Sequence, residues 1–203
     1  WHLNYMNIDG LWGYSRGENQ VIAFIDTGIS EELQVEFSDR IIYSYNVIEK
    51  SEDVNDYHGH GTEMISVACS DGYLGVYGIA PKSDIIVIKA VSDEGKTNND
   101  YLYEALLIAE EKGATIVNVS LGGFKSDERV IEKISSMTEK NITIVSASGD
   151  YGNKDLLFPA SCEDVVSVEA FNSEVEVWEY SNISEKSIVR MPGTEIEVIT
   201  IDR

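Results

Sequence analysis

Six short apolar runs rich in β-branched residues alternate with helix-like segments, and this alternation is the feature that most restricts the fold. The runs cover residues 21–25, 41–45, 85–91, 115–119, 142–147 and 165–171. Parallel strands need long crossover connections, usually helices, so strands that alternate with helices form parallel sheets. We therefore predict an α/β fold of three layers, α/β/α, with a mainly parallel sheet covered on both faces.

Two of the segments between the runs carry helix signals. Asn99 and Asp100 offer an N-terminal cap for a helix that ends near Gly113, a residue typical of helix C-termini. A second helix fits 126–139, which begins with acidic residues and is followed by a lysine, as the helix dipole favours.

The length of 203 residues fits one well-buried domain and is short for two. We expect a single domain over residues 1–203, because the sequence has no internal repeat and no linker rich in proline or glycine. No apolar run reaches the roughly 18 residues of a membrane span. Cys69 and Cys162 are too few for a disulfide scaffold and lack metal-ligand spacing, so both are expected to be buried thiols.

The chain is strongly acidic, with 36 acidic and 15 basic residues and a formal charge of -21. This charge disfavours nucleic acid and anionic membranes as partners and favours cationic peptides. Solubility alone is the other explanation of such a surface.

Asp26 directly follows the first apolar run and precedes Thr27 and Gly28. Its carboxylate should therefore lie at the carboxyl end of a parallel strand, where active sites of open α/β sheets gather. Aspartic proteases also place a catalytic Asp-Thr-Gly after a strand, but they need a second carboxylate and a β-rich fold. An aspartate that caps a turn is the simpler structural alternative.

His60 precedes Gly61 and Thr62 at the expected start of a helix that runs to Ala68. A histidine there can face a cleft while the helix anchors it. Together with His58 it forms a His-x-His pair, which a metal hydrolase could use, although no further ligands follow in a zinc spacing. A purely structural histidine is the other alternative.

An acid followed by a histidine is the order of the subtilisin-type triad. Further motifs agree with that order, and together they make the chain resemble the subtilase family of serine proteases. They are GVYGIAP at 75–81, NVSLGG at 118–123, SASGD at 146–150, FPA at 158–160 and MPG at 191–193. The resemblance covers almost the whole chain and implies a subtilisin-like hydrolase that cleaves peptide bonds.

The resemblance also implies roles for individual residues. Asp26 would orient the imidazole of His60, which would act as general base and then as general acid. An extended substrate would add as a strand between two edges, residues 120–122 and the stretch around 94–96. Residues 147–149 would form a wall of the pocket for the side chain before the scissile bond, with residues 157–158 nearby and an apolar preference. The implied substrate-binding residues are Gly95, Ser120, Leu121, Gly122, Ala147, Ser148 and Gly149.

The chain departs from the family pattern at two points. Asp150 stands where the family has the asparagine of its oxyanion hole, and an ionised carboxylate there would repel the developing negative charge. The family's serine motif, GTSMA, is absent, and residues 195–201 instead alternate like a half-buried strand. We expect the C-terminal part of the catalytic domain, with the catalytic serine, to lie beyond this chain.

A catalytically inactive pseudoprotease that binds peptides or regulates a partner is the alternative. Asp150 and the missing serine favour it, as do Glu63 and Ser66, which replace a histidine and a glycine of the family.

The expected partners and cofactors follow from the same resemblance. The partners would be a peptide or protein substrate and the protein's own C-terminal fragment or pro-segment. The negative charge of the chain favours a cationic substrate. No cofactor is required, and a calcium site is not supported, because Asp71 is the only carboxylate in the loop at 70–75 whereas calcium takes six to eight oxygen ligands. The sequence does not fix the compartment, and a secreted or cell-surface location is expected if a leader and pro-segment are removed.

Overall fold

Seven strands form one parallel sheet in the computed structural model, which describes residues 1–123 and 125–201. Phe124 and the last two residues of the expected 1–203 domain lie outside the described residues. The strands are β1 at Val21–Asp26, β2 at Ile41–Asn46, β3 at Asp84–Lys89, β4 at Ile116–Val119, β5 at Thr143–Ala147, β6 at Val166–Phe171 and β7 at Val189–Pro192. Their order is β2-β3-β1-β4-β5-β6-β7, and each pair of neighbours is parallel.

Helices connect several of the strands, as predicted, and two short helices precede β1. They are α1 at His2–Tyr5, α2 at Ile8–Leu11, α3 at Glu31–Glu36, α4 at His60–Cys69, α5 at Asn99–Glu111 and α6 at Glu128–Glu139, with a 3₁₀ turn at Tyr73–Gly75. Asn98, not Asn99, caps α5, because its side chain accepts a hydrogen bond from Tyr101 N. Within the described part of the chain, no helix has both the length and the hydropathy needed to cross a membrane.

Residues of β1 alternate between two hydrophobic clusters. Ala23 and Ile25 pack in a cluster with side chains of α5 and α6. Ile22 and Phe24 pack on the opposite face with side chains of α3 and α4. A central parallel strand is buried on both faces, which is why this run is apolar throughout. The predicted three-layer α/β/α fold is confirmed.

The C-terminal segment differs from the prediction. The last strand is β7, which pairs with β6, whereas residues 195–201 form no strand. They still alternate in exposure, and Ile199 is buried while its amide donates to the Ser66 hydroxyl of α4 at 3.0 Å. An extended segment can alternate buried and exposed side chains by packing alone, without hydrogen bonds to a neighbouring strand. The alternation therefore indicated an extended segment, but it did not require a β-strand.

The strand order reverses at β1. The chain builds β2 and β3 on one side of β1 and β4 to β7 on the other. The connections that leave β1 and its neighbours diverge there, so a crevice opens at the carboxyl ends of these strands. Asp26 is the last residue of β1 and lies at that point.

Candidate active site

Asp26 and His60 form a hydrogen-bonded pair at the carboxyl edge of the sheet. Oδ1 of Asp26 lies 2.7 Å from Nδ1 of His60, the first residue of α4. The carboxylate is buried, with 2% of Asp26 exposed, and it also accepts the amide of Thr27 at 2.8 Å. An ionised carboxylate only accepts hydrogen bonds, so Nδ1 carries the proton and Nε2 of the neutral ring is the acceptor.

The surroundings of His60 make it a stronger base than an ordinary histidine. Its hydrogen bond to Asp26 raises the pKa of the imidazole above the usual 6.5, although partial burial acts in the opposite direction. The charges of Asp26, Glu63 and Asp56 raise the pKa further. A histidine whose pKa is raised by a partner that also holds the ring in place suits general acid–base catalysis.

Asp56 fixes the start of α4 and with it the position of His60. One carboxylate oxygen accepts the amides of His58 at 3.0 Å and Gly59 at 2.8 Å, and the other accepts the amide and hydroxyl of Thr62 at 2.9 and 2.7 Å. Burial disfavours the charged carboxylate, but these hydrogen bonds lower the pKa of Asp56 below its ordinary value. A helix N-terminus leaves amide groups unpaired, and this one side chain satisfies several of them.

Two glycines let the segment after β1 pack closely against the start of α4 and the loop that precedes it. A Cβ atom on Gly61 would lie 2.3 Å from the carbonyl oxygen of Gly28, and one on Gly28 would lie 2.1 Å from that of Val54. The amide of Gly61 donates to the hydroxyl of Thr27 at 2.8 Å. The Asp-Thr-Gly and His-Gly-Thr segments therefore pack backbone to backbone, which explains the small residues that follow each functional side chain.

Lys89 connects the loops on either side of the pair. This buried lysine ends β3, opposite Asp26 in the register of the sheet. Its Nζ donates to the carbonyl of Asn55 and to Oδ1 of Asp93, both at 2.6 Å. It thereby ties the loop before α4 to the loop after β3.

The implied substrate-binding segments all lie at the carboxyl ends of strands, at the same edge of the sheet as Asp26. Residues 120–122 follow β4, Ala147 ends β5 and Ser148 and Gly149 follow it, and Gly95 lies in an exposed turn after β3. A Cβ atom on Gly95 would lie 3.4 Å from Nε2 of His58. Ser120 accepts a hydrogen bond from the side chain of Asn118 at 2.9 Å. Leu121 and Gly149 are half-buried, Gly122 and Ala147 are exposed, and Ser148 is buried.

Asp150 is exposed in the loop that follows β5. This loop is organised by Asn182, whose amide donates to the Gly149 carbonyl at 2.8 Å and whose Oδ1 accepts the amides of Tyr151 and Asn153 at 3.0 and 3.1 Å. The carboxylate of Asp150 thus sits on an ordered loop beside the pocket-wall residues.

The side chains of the described residues can be compared with the arrangement that a metal ion needs. In residues 1–123 and 125–201, no group of three or more His, Cys, Asp or Glu side chains is arranged to hold one. The ring centroids of His58 and His60 are 6.4 Å apart, and Nδ1 of His60 is engaged by Asp26. The loop around Asp71 is closed by an isolated bridge to Tyr77. These observations do not favour the metal-hydrolase alternative.

Sequence reasoning missed the supporting residues. The stretch at 49–56 looks like an exposed acidic loop, yet Val54 and Asp56 are buried. An acidic residue a few positions before a predicted helix start is a capping signal that could have identified Asp56. Nothing in the sequence marks Lys89, whose role depends on loops that the fold brings together.

Comparison with known proteins agrees with this geometry. A sequence profile of the subtilase family matches residues 17–201. The chain is 28% identical to an intracellular serine protease of Paenibacillus polymyxa over 196 residues, which are 92% of this chain and 60% of the relative. It is 29% identical to the minor extracellular protease Epr of Bacillus subtilis (97% of this chain, 30% of the relative) and 31% identical to a cell wall-associated protease of the same species (87% and 20%). The chain thus spans 60% or less of the length of these relatives, which come from inside and outside the cell.

Proposed function

Because this chain belongs to the subtilase family of serine proteases, we propose that the protein is a serine endopeptidase whose acid and base are Asp26 and His60 and whose nucleophilic serine lies beyond these 203 residues. The observation that carries the proposal is the 2.7 Å contact between Asp26 Oδ1 and His60 Nδ1 at the carboxyl edge of a parallel sheet.

In the proposed reaction, Nε2 of His60 takes the proton of the serine hydroxyl as its oxygen attacks the substrate carbonyl. Asp26 stabilises the imidazolium that forms, and His60 passes the proton to the leaving amine as the peptide bond breaks. Water then attacks the acyl-enzyme, with His60 again as the base. The substrate would lie as an extended strand between the segment at 94–96 and residues 120–122, so main-chain hydrogen bonds would supply much of the affinity.

Partners, cofactors and location follow as parts of the same proposal. The formal charge of -21 supports a cationic peptide substrate, and the protein's own C-terminal fragment or pro-segment is a further partner. Acyl transfer of this kind uses side chains and main-chain donors, so it requires no cofactor. A secreted or cell-surface location applies if the full protein carries a removable leader and pro-segment.

Labelling of the full-length protein with a fluorophosphonate probe tests the proposal. We expect covalent labelling of one serine outside residues 1–203, and we expect it to be lost in His60→Ala. A folded protein that contains a Gly-Thr-Ser motif and takes up no label would contradict it.

A pseudoprotease is the second candidate, and the exposed carboxylate of Asp150 is the observation that favours it. In that case a peptide would bind along Leu121 and Gly122 without being cleaved. Mass spectrometry that finds cleavage at a defined bond, lost in His60→Ala, would exclude this candidate.

A further inference from the structure

The side chain of Leu157 fills the space between residues 120–122 and residues 147–149, two predicted substrate-binding segments that form walls on either side of it. A Cβ atom on Gly122 would lie 3.0 Å from both Cβ and Cδ1 of Leu157. A Cβ atom on Gly149 would lie 2.7 Å from its Cγ and 2.9 Å from its Cδ1. Both glycines therefore present bare backbone to this leucine, which is only 6% exposed.

The main chain around Leu157 is tied to both walls. Its amide donates to the carbonyl of Ser148 at 3.0 Å, on the side of β5. The amides of Phe158 and Gly123 each donate to the other residue's carbonyl, at 2.8 and 2.9 Å, on the side of β4. These hydrogen bonds hold the leucine in place between the walls.

A second side chain closes the space next to Gly149. The position of a Cβ atom on Gly149 lies 2.5 Å from Nδ2 of Asn182, which itself donates to the carbonyl of Asp155 at 2.9 Å. Leucine and asparagine therefore leave little depth between the two strand-end segments. Protein interiors are close-packed, and an extra large side chain forced into such a space is strongly disfavoured.

We propose that Leu157 is a specificity-determining residue that shortens the pocket and restricts cleavage to bonds preceded by a small residue, glycine, alanine or serine. This inference rests on the proposed function, and it narrows the apolar preference expected from the sequence to a preference for small size.

The structure also indicates what lies next to the leucine. A cavity of about 360 Å³ has Leu157, Gly123 and Asp155 in its lining. Trimming Leu157 would join the space between the glycines to this cavity, so the shortened side chain should make room for a large substrate residue.

Hydrolysis of matched peptides by the full-length protein tests the inference. The peptides differ only at the residue before the scissile bond, which is Gly, Ala, Ser, Leu or Phe. For the wild type we expect kcat/KM at least tenfold higher for Ala than for Phe. Leu157→Ala should raise kcat/KM for Phe at least tenfold, and Leu157→Val, a milder change, should raise it for Leu. Leu107→Ala, the same change at an exposed position of α5, should leave the preference unchanged.

The outcomes separate this inference from the proposed function. Cleavage that depends on His60 but prefers Leu or Phe in the wild type would overturn the inference and leave the proposed function intact. If no peptide is cleaved, the proposed function fails, and calorimetric binding of peptides that end in Ala or Phe decides the inference. At least tenfold tighter binding of the Ala-ended peptide, reversed in Leu157→Ala, would support it. Equal affinities, a preference for Phe or no binding would overturn it.

Discussion

The contact between Asp26 and His60 determines how the histidine titrates. The first cause of the raised pKa of His60 is its hydrogen bond to Asp26, and partial burial acts against it. Asp26→Asn removes the charge and leaves burial, so the pKa of His60 should fall below that of the wild type. NMR titration of the imidazole C–H signals measures this directly. Asp53→Asn, at an exposed position, is the control, and an unchanged pKa in Asp26→Asn would contradict the account.

The same pair has a consequence for stability. A histidine whose pKa is raised on folding adds stability that is fully present below its unfolded pKa of about 6.5 and is lost as pH rises through the higher folded value. The difference in unfolding free energy between wild type and Asp26→Asn should therefore be larger at acidic than at alkaline pH. Urea denaturation on both sides of this window measures it, and a difference that grows with pH would have the wrong sign.

Asp150 should limit turnover. Loss of the amide donor at this position of subtilisin, a member of this family and the measured example, costs about 10²–10³-fold in turnover. Asp150→Asn replaces a repelling carboxylate by a donor, so kcat should rise by up to about that factor. Steady-state kinetics of the full-length protein measure it. His60→Ala combined with Asp150→Asn is the control, and a kcat that falls in Asp150→Asn would count against the assigned position.

The sequence allowed single functional residues to be predicted where they stand in short motifs. Asp26 and His60 stand in such motifs, and the fold brings them into contact across 34 positions of sequence separation. The family resemblance placed Leu157 near the pocket wall, but no feature of the sequence showed which residues its side chain contacts. Only coordinates show that its side chain lies against Gly122 and Gly149.

At the scale of elements, the N-terminus of α4 is the part that positions the site. Asp56→Ala would leave the buried amides of Gly59 and Thr62 without an acceptor, so the unfolding free energy should fall by about 2 kcal/mol or more. Urea denaturation measures the loss. Glu52→Ala, which removes an exposed carboxylate from the same loop, should cost less than about 0.5 kcal/mol. Equal losses in the two variants would mean that Asp56 does not cap the helix.

The strands of the central sheet were predictable because buried parallel strands are apolar along their whole length. The last strand, β7, was not, since it lies at the edge and three of its four residues are exposed. Glu169 of β6 is buried, and its carboxylate accepts the guanidinium of Arg190 in β7 at 2.6 Å. An ion pair that links two strands leaves no periodic signal in the sequence. The cap of α5 was displaced by one residue because Asn98 and Asn99 are equally good caps by composition.

At the scale of the whole molecule, the formal charge of -21 opposes folding through self-repulsion. Raising the NaCl concentration from about 0.01 M to about 1 M shortens the screening length roughly tenfold, so Tm should increase by several degrees. Calorimetry of the purified protein measures it, with an uncharged osmolyte of equal osmolality as the control. A Tm that falls with salt would mean that the favourable ion pairs outweigh the repulsion.

The central claim is that Asp26 and His60 operate as one acid–base unit for peptide hydrolysis. Mass-spectrometric detection of peptide cleavage by the full-length protein, compared between wild type, His60→Ala and His58→Ala, tests it most directly. The account predicts defined cleavage products that fall by at least about 10³-fold in His60→Ala and by less than about tenfold in His58→Ala. Cleavage that persists at the wild-type rate without the imidazole of His60 would contradict it.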